Sequence, residues 1–208
     1  MDNRRPIIYV VDDDVSVCRA LKLLLGSHGF KVETFTCAED FLDFKHLKSP
    51  SCLILDIQLP KVNGFAIQEA MAIRQLAIPI IFITGHGDIP MSVKGIKAGA
   101  VDFLPKPFTK KKLFSAITQA IAKNKAQIKE QTEISKIKRR IETLSPRELE
   151  VFRLVAKGML SKQIAFKRGT ALQTIKVHRG RVMQKMQAKT VTELIRFAQK
   201  AGIVPPQR

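Results

Sequence analysis

The chain has few of the sequence features that are typical of secreted proteins, of proteins with cysteine-ligated metals or of membrane proteins. Its three cysteines, Cys18, Cys37 and Cys52, show no metal-ligand spacing, so we expect buried free thiols in a reducing compartment. No apolar run approaches the roughly 20 residues that a membrane-spanning helix needs. The basic start, Met1 to Arg5, precedes too short an apolar run for a signal peptide. We therefore expect a cytoplasmic protein without a membrane partner.

Acidic residues are scarce, and their distribution divides the chain. Lysine and arginine total 36 against 18 aspartates and glutamates, which gives a formal net charge of +18. Residues 1–122 hold 15 basic and 12 acidic side chains, whereas residues 123–208 hold 21 and 6. A nearly neutral half is typical of small-molecule or protein chemistry. A strongly basic half indicates a polyanionic partner, with nucleic acid favoured over an anionic membrane surface.

Short apolar runs in the first half alternate with segments that have apolar residues at helical spacing. The runs lie at 7–11, 52–55, 80–83 and 101–105, and residues 31–35 alternate between polar and apolar side chains like a further strand. Five strand–helix units with short connections predict an α/β fold, a doubly wound five-stranded parallel sheet covered on both faces. Such sheets bind ligands in the crevice beyond the carboxyl ends of their strands.

Polar side chains follow several of these runs and are expected at one edge of the sheet. They are Asp12, Asp13, Asp14, Asp56, Thr84 and Lys106, the last between two prolines that restrict its backbone. One of the adjacent aspartates is expected to cap the first helix, but capping does not explain Asp56. Close carboxylates repel unless a cation joins them, and oxygen ligands suit Mg²⁺. The pattern predicts a divalent-cation site where one Asp accepts a phosphoryl group.

The start of the second half reads as a basic helical linker, residues 123–141, that extends the fifth helix. No Gly or Pro interrupts it. Ile134, Ile137, Ile141 and Leu144 follow a 3-4-3 spacing that predicts a short coiled-coil-like seam. A dimer seam and a solvated spacer with one apolar end are both compatible with this pattern.

Residues 142–208 predict a small all-α domain of four short helices. Ser145 to Glu148 and Thr190 to Glu193 are capping boxes, and Ser161 is a candidate cap for the second helix. The third helix is expected from about Thr174 to Met186, with a basic face. This arrangement indicates a helix-turn-helix domain that binds DNA.

Residues 6–122 resemble the receiver domain of two-component response regulators. The matching stretches are Val-Val-Asp-Asp-Asp at 10–14, Leu-Asp-Ile-Gln-Leu-Pro at 55–60, Thr-Gly-His-Gly-Asp-Ile-Pro at 84–90 and Lys-Ala-Gly-Ala-Val-Asp-Phe-Leu-Pro-Lys-Pro-Phe at 97–108. The resemblance implies a flavodoxin-like fold in which Asp56 accepts a phosphoryl group from a phosphohistidine of a sensor histidine kinase.

The resemblance also implies roles for the neighbouring residues. A Mg²⁺ or Mn²⁺ ion would be held by the side chains of Asp13 and Asp56, the backbone carbonyl of Gln58 and, largely through water, Asp12. Lys106 and Thr84 would bind phosphoryl oxygens. Phe103 would change its rotamer as Thr84 moves inward.

Residues 142–204 resemble the four-helix DNA-binding domain of the LuxR/NarL type. Leu-Ser-Pro-Arg-Glu-Leu-Glu-Val at 144–151, Lys-Gln-Ile-Ala at 162–165 and Thr-Ile-Lys-Val-His-Arg at 174–179 carry the match, and the whole chain is similar to FixJ-type regulators. The resemblance implies base contacts from Lys176 and Val177. It implies phosphate contacts from Lys162, Thr174 and Arg181, with a lesser part for His178 and Arg179. His178 is also compatible with a partly buried structural role.

This domain departs from the family pattern in one region. Arg168 and Thr170 replace apolar residues, and Ala171 replaces a capping serine, a loss of about 1 kcal/mol. We hypothesise a one-residue shift in which Thr170 begins a capping box and Leu172 supplies the missing apolar contact. Gly180 is also unusual on the groove-facing side, since it costs about 1 kcal/mol of helix propensity relative to Ala.

The combined features predict a phosphorylation-controlled transcription regulator and not an enzyme acting on external substrates. Phosphorylation would alter the face around Thr84 and Phe103 and promote a homodimer. Two basic domains would then bind a two-fold site on double-stranded DNA, with RNA polymerase as a further partner.

Two alternatives stay open at this point. An Asp-nucleophile phosphohydrolase would, by resemblance, need a second acid where Gln58 stands. A phosphorylation-independent nucleic-acid-binding protein would use the first domain only to dimerise. Flavodoxin-like cofactor binding is disfavoured, because no phosphate-binding loop follows the first strand.

Overall fold

The computed structural model describes residues 5–45, 50–85 and 89–205. The chain separates into two compact units, Met1–Ile128 and Lys129–Arg208. Strands and helices alternate in the first unit, and the described residues of the second form helices joined by short turns. The predicted fold class is thereby confirmed. The predicted domain limits at residues 122 and 141 stay a prediction, because one long helix runs through both.

The first unit is a parallel sheet with helices between its strands. Its strands are β1 (Ile7–Val11), β2 (Lys31–Phe35), β3 (Ser51–Asp56), β4 (Ile80–Thr84) and β5 (Asp102–Pro105). Its helices are α1 (Val15–Ser27), α2 (Ala38–Asp43), α3 (Gly64–Ile73), α4 (Ile89–Lys97) and α5 (Lys110–Glu142), which continues into the second unit. The strand order is β2-β1-β3-β4-β5. Because the order reverses between β1 and β3, a crevice opens beyond their carboxyl ends.

Both faces of the sheet are covered, which explains why its central strands are continuous apolar runs. Every residue of β1, β3 and β4 is buried. One face packs against α1 and α5, where Leu25 and Ile117 are fully buried, and the other packs against Phe41 of α2 and Ile67 of α3. Sheets of this kind favour apolar runs over alternating patterns.

The three cysteines are free thiols, as expected, but they differ in burial. Cys18 and Cys52 are buried, and burial raises the pKa of the Cys52 thiol to about 12. Cys37 is only half-buried, so the expectation of three buried thiols is wrong for this residue. Cys37 is the N-cap of α2, where its side chain makes no capping hydrogen bond.

Local signals placed most helix ends within a few residues. The Asp14 carboxylate caps α1 by accepting hydrogen bonds from the backbone N–H groups of Ser16 (2.7 Å) and Val17 (3.4 Å). The Thr109 hydroxyl accepts from the N–H of Lys112 at 3.3 Å at the start of α5. α1 continues past Gly26 to Ser27, although glycine often follows the end of a helix. Glycine lowers helix propensity without forbidding the conformation.

A buried asparagine ties α5 to the sheet. Asn124 is 4 % exposed, and its side-chain oxygen accepts from the N–H of Ser51 at 2.9 Å. Its side-chain nitrogen donates to the Ala77 carbonyl, also at 2.9 Å. The same side chain therefore holds the start of β3 and the segment that leads into β4.

The second unit contains four short helices after α5. They are α6 (Pro146–Ala156), α7 (Ser161–Arg168), α8 (Leu172–Met186) and α9 (Val191–Lys200). The capping box at Ser145 is confirmed, and the Thr190 hydroxyl accepts from the N–H of Glu193 at 3.1 Å. Ser161 is not a cap, because Leu160 precedes the helix and Ser161 is its first residue. Among the helices of the described ranges, none has the length and apolarity required to cross a membrane.

The apolar stripe of the linker packs inside the second unit. Ile137 is 1 % exposed and Leu144 is buried in the core of this unit, with Ile141 packed against it. The guanidinium of Arg140 donates to the Met186 carbonyl at 3.2 Å and lies 5.9 Å from the centre of the Phe197 ring. The end of α5 is thus an integral helix of this unit, so neither the solvated spacer nor the dimer seam describes Ile137.

We predict that Ile137→Ala lowers the free energy of unfolding of the second unit by about 2–4 kcal/mol, because it leaves a cavity in the core. Ile134→Ala, a half-exposed position on the same helix, should cost less than about 1.5 kcal/mol. Urea unfolding of the full chain, followed by circular dichroism, measures both. Equal effects of the two variants would contradict the inward packing of Ile137.

Candidate functional site

Two carboxylates and one ammonium meet at the carboxyl edge of the sheet. Asp12 follows β1, Asp56 ends β3, and Lys106 follows β5. The Lys106 ammonium donates to Asp12 Oδ2 at 2.6 Å and to Asp56 Oδ2 at 2.7 Å. Asp12 is fully buried and Asp56 is 5 % exposed. The parallel register brings together residues that are far apart in sequence.

Backbone groups hold the second oxygen of each carboxylate. Asp12 Oδ1 accepts from the N–H of Asp14 at 3.0 Å, and Asp56 Oδ1 accepts from the N–H of Gln58 at 3.0 Å. Both carboxylates are therefore oriented from two sides. Such fixed geometry suits a group that must present one oxygen to a reacting phosphorus atom.

Burial and charge pairing act in opposite directions at this site. Burial raises the pKa of Asp12 above its ordinary value, although hydrogen bonds from Lys106 and Asp14 partly offset it. Burial also opposes the charge of Lys106, but its hydrogen bonds to Asp12 and Asp56 prevail and raise its pKa. The ammonium consequently stays protonated at neutral pH.

The donor set fits a divalent cation. Asp12, Asp13 and Asp56 each offer a carboxylate oxygen, and these oxygens lie within 4.8 Å of one another. Lys106 supplies one positive charge against these three carboxylates, which leaves a local excess of negative charge. Mg²⁺ and Mn²⁺ prefer oxygen ligands of this kind, and the exposed side chain of Asp13 leaves the cluster open to solvent. The carbonyl of Gln58 as a further ligand stays a prediction.

The structure places Thr84 on β4, the strand beside the one that carries Asp56, and Phe103 on β5, the next strand along. Thr84 is fully buried at the end of β4, where its carbonyl accepts from the Lys106 N–H at 2.7 Å. Phe103 is half-buried on β5, paired in register with Phe82 of β4. The coupled movement of Thr84 and Phe103 stays a prediction. Residues 86–88 of the matching stretch lie outside the described residues.

Gly64 is a residue of this site that the sequence analysis did not single out as such. It begins α3, and its N–H donates to the Ile57 carbonyl at 2.9 Å. A Cβ at this position would lie 2.8 Å from the Asp56 carbonyl oxygen and 3.0 Å from the Ile57 Cα. Because the obstructing atoms are backbone, a side chain at 64 would displace the segment that carries Asp56. The helix-initiating position was visible in the sequence, but the close approach was not.

The second unit presents the predicted DNA-contacting residues on α7 and α8. Five of the seven are exposed, and these are Lys162, Thr174, Lys176, Val177 and Arg181. The other two, His178 and Arg179, are half-buried. Arg179 donates to the Ser161 hydroxyl at 3.0 Å, so it joins α8 to the start of α7. Within the described part of the chain, the buried Nδ1 of His178 has no hydrogen-bond partner, in keeping with the structural alternative.

The predicted shift at the start of the third helix is wrong. Ala171 is the N-cap of α8, which begins at Leu172 and not at Thr174. Thr170 belongs to the preceding turn, since its N–H donates to the Ala165 carbonyl at 3.1 Å and helps to end α7. Leu172 is 39 % exposed and does not replace the missing apolar contact.

An ion pair accounts for one of the family departures. The Arg168 guanidinium lies 2.6 Å from Glu150 Oε1, so it connects the end of α7 to α6. The arginine therefore makes a polar contact where the family pattern has an apolar one. Nothing in the structure explains why Ala171 lacks a capping side chain.

A buried carboxylate in the second unit couples α6 to α8. Glu148 is 3 % exposed, and its Oε2 accepts from Lys185 at 2.6 Å and from the Ser145 N–H at 2.8 Å. Lys185 also donates to the Thr143 carbonyl at 3.0 Å. The hydrogen bonds from Lys185 and Ser145 lower the pKa of Glu148 to about 2. The capping box predicted the contact with Ser145, but the contact with Lys185 depends on tertiary packing.

Two family models match the chain. The response regulator receiver domain matches residues 8–118, and the LuxR family of bacterial regulatory proteins matches residues 142–198. One match lies within each compact unit.

Several known proteins are similar over nearly the whole chain. Nodulation protein W of Bradyrhizobium diazoefficiens is 43 % identical over 96 % of this chain and 88 % of its own length. The transcriptional regulatory protein FixJ of the same organism is 39 % identical over 95 % of this chain and 96 % of its own. Among solved structures, the response regulator StyR gives a TM-score of 0.80 at 41 % identity, covering 95 % of this chain and 100 % of its own. Full-length FixJ from B. japonicum gives 0.56 at 39 % identity, covering 95 % and 98 %.

We predict that the carboxyl group of Glu148 titrates near pH 2 in the folded chain and near its ordinary 4.5 when unfolded. Since the folded pKa is the lower one, the stabilisation is complete above about pH 4.5 and is lost as the pH falls towards 2. Lys185→Met should raise the folded pKa towards 4.5, as measured by NMR of the Glu148 side chain. Lys189→Met, an exposed lysine outside this contact, is the control. A pKa near 4.5 in the unmodified chain would contradict the buried pair.

Proposed function

We propose that phosphorylation of Asp56 controls the binding of this chain to DNA, since the chain belongs to the two-component response regulators. Its receiver domain is followed by a LuxR-type DNA-binding domain, so the chain is a transcription regulator. The observation that carries this proposal is the contact of one ammonium, Lys106, with both Asp12 and Asp56 at the crevice of the sheet. A sensor histidine kinase is the phosphoryl donor in this proposal.

The residues at the crevice suit phosphoryl transfer to Asp56. A carboxylate oxygen of Asp56 attacks the phosphorus of a phosphohistidine, a P–O bond forms, and the P–N bond breaks. The electron pair of that bond stays on the imidazole nitrogen, which takes up a proton. Lys106 is already within 2.7 Å of the Asp56 carboxylate and stabilises the charge on the transferred phosphoryl oxygens.

A divalent cation would be held by Asp12, Asp13 and Asp56, with the Gln58 carbonyl as a proposed further ligand. When bound, it would neutralise phosphoryl oxygens during transfer. Asp12 has a second task, because its contact with Lys106 helps to orient the ammonium. Thr84 would bind another phosphoryl oxygen, and Phe103 would respond to that movement on the neighbouring strand.

DNA binding is the proposed task of the second unit. Residues 123–208 carry 21 basic against 6 acidic side chains, and Lys176, Val177 and Arg181 are exposed on α8. We place Lys176 and Val177 at base edges, with Lys162, Thr174 and Arg181 at phosphates. Phosphorylation would promote a homodimer that binds a two-fold site and acts through RNA polymerase.

Replacing the acceptor carboxylate tests the phosphorylation step. Asp56→Asn should keep the fold but abolish labelling by radioactive acetyl phosphate with Mg²⁺, because an amide is a poor nucleophile towards phosphorus. Asp14→Asn is the matched control. Asparagine and aspartate are equally good helix caps, so this variant should still be labelled. Persistent labelling of Asp56→Asn would assign the phosphoryl group to another residue.

Further measurements on the labelled chain separate the proposed function from the alternatives. Phosphorylated and unmodified chains are compared for mass in solution and for affinity towards duplex DNA. Unchanged DNA binding after stoichiometric labelling would favour the phosphorylation-independent alternative. Turnover of a small phosphate ester would favour the phosphohydrolase.

We predict that Lys162→Ala weakens binding to all duplex sequences and reduces the slope of log K against log salt by about 1, as expected for one lost phosphate contact. Lys157→Ala removes the same charge from an exposed position at the end of α6 and should leave the slope unchanged. Fluorescence anisotropy across a salt series measures both. An equal loss in the two variants would show a diffuse charge effect in place of a defined contact.

A further inference from the structure

A glycine stands in the middle of α8, although nothing within the helix requires a residue without a side chain. Gly180 is the ninth of the 15 residues of this helix, far from either end. A glycine at such a position lowers the helix-forming equilibrium about fivefold relative to alanine. Its φ is not among the positive values of the described residues, so the backbone does not require glycine there.

Packing does not require it either. A Cβ built at Gly180 meets no atom within 4 Å. In contrast, a Cβ at Gly95 of α4 would lie 3.2 Å from the Phe82 ring, and one at Gly64 would strike the backbone of β3. Gly26 also has open space, but it lies one residue before the end of α1, where helices fray. The space at Gly180 is thus left open on the outside of α8.

The open position lies among residues proposed to meet DNA. Ile175, Val182 and Met186 bury one side of α8. Gly180 is exposed and lies one turn after Val177, and both face away from the buried side of the helix. Val177 is 45 % exposed, so an apolar side chain and a bare stretch of backbone lie next to each other.

We propose that Gly180 and Val177 form an apolar notch that receives the 5-methyl group of a thymine in the major groove. This inference rests on the proposed DNA binding of α8. Neither residue offers a side-chain hydrogen bond, and the thymine methyl is the apolar group that base edges display in that groove. The missing Cβ lets the helix backbone approach the base edge more closely than alanine would.

The test begins with the full chain without substitutions, phosphorylated with acetyl phosphate and Mg²⁺. It is used to select its preferred sites from a randomised duplex library, and affinities are then measured for a selected duplex and for one of unrelated sequence. Gly180→Ala should lower the affinity for the selected duplex about tenfold, comparable to a mismatched base pair. It should leave the affinity for the unrelated duplex unchanged and raise the urea midpoint of the second unit.

Gly26→Ala is the matched control, because it makes the same chemical change in an exposed helical position of the first unit. It should leave both affinities unchanged. Replacing single thymines of the selected site by deoxyuridine removes only the methyl group. At one position this should weaken the unmodified chain about fourfold, the effect of one buried methyl, and should not weaken Gly180→Ala further.

The outcomes separate this inference from the proposed function. If the unmodified chain selects no sequence and binds no duplex, the proposed DNA binding fails. If it selects a site that Gly180→Ala binds equally well, DNA binding stands and the notch is overturned. Sensitivity to deoxyuridine that persists in Gly180→Ala would likewise overturn it.

Discussion

The contact of one ammonium with two buried carboxylates is the constraint on which the first unit depends. Asp12 and Asp56 end neighbouring strands, and two like charges with little exposure to water would repel strongly without a counter-charge. Lys106 supplies it from a third strand end at 2.6 and 2.7 Å. The sheet order β2-β1-β3-β4-β5 is what brings these three strand ends to one edge. The strand order therefore determines both the architecture of the sheet and the position of the charged groups at its edge.

Both units pair a lysine with a buried carboxylate, but the two sites differ in how much negative charge stays without a positive partner. Glu148 has a single charge, a single ammonium from Lys185 and a backbone donor, so its charge is fully compensated. The crevice holds Asp12, Asp13 and Asp56 against Lys106. The balanced pair joins two helices. The unbalanced cluster attracts further positive charge, which suits a site for a metal ion and a phosphoryl group.

The parts of the molecule that sequence patterns predicted are those set by local rules. A carboxylate directly after an apolar run marks a strand end, which is why Asp12 and Asp56 were found, and the capping box at Ser145 follows from residues three apart. The errors arose where a distant contact decided the outcome. Thr170 matched a capping pattern, but its N–H already served the end of the preceding helix. Gly64 matters through a backbone approach that no local pattern encodes.

The two hydrogen bonds of the buried Asn124 side chain indicate where domains of related regulators can be joined in hybrid proteins. Asn124 holds Ser51 and Ala77 on one side, while Glu133 binds Lys200 on the other, and both residues belong to the same uninterrupted α5. Between them lies a stretch of about two helical turns that carries neither anchor. A junction placed within this stretch would keep both of these side-chain contacts, so hybrids that combine the receiver domain of one related protein with the DNA-binding domain of another should be joined there and not at the end of the sheet.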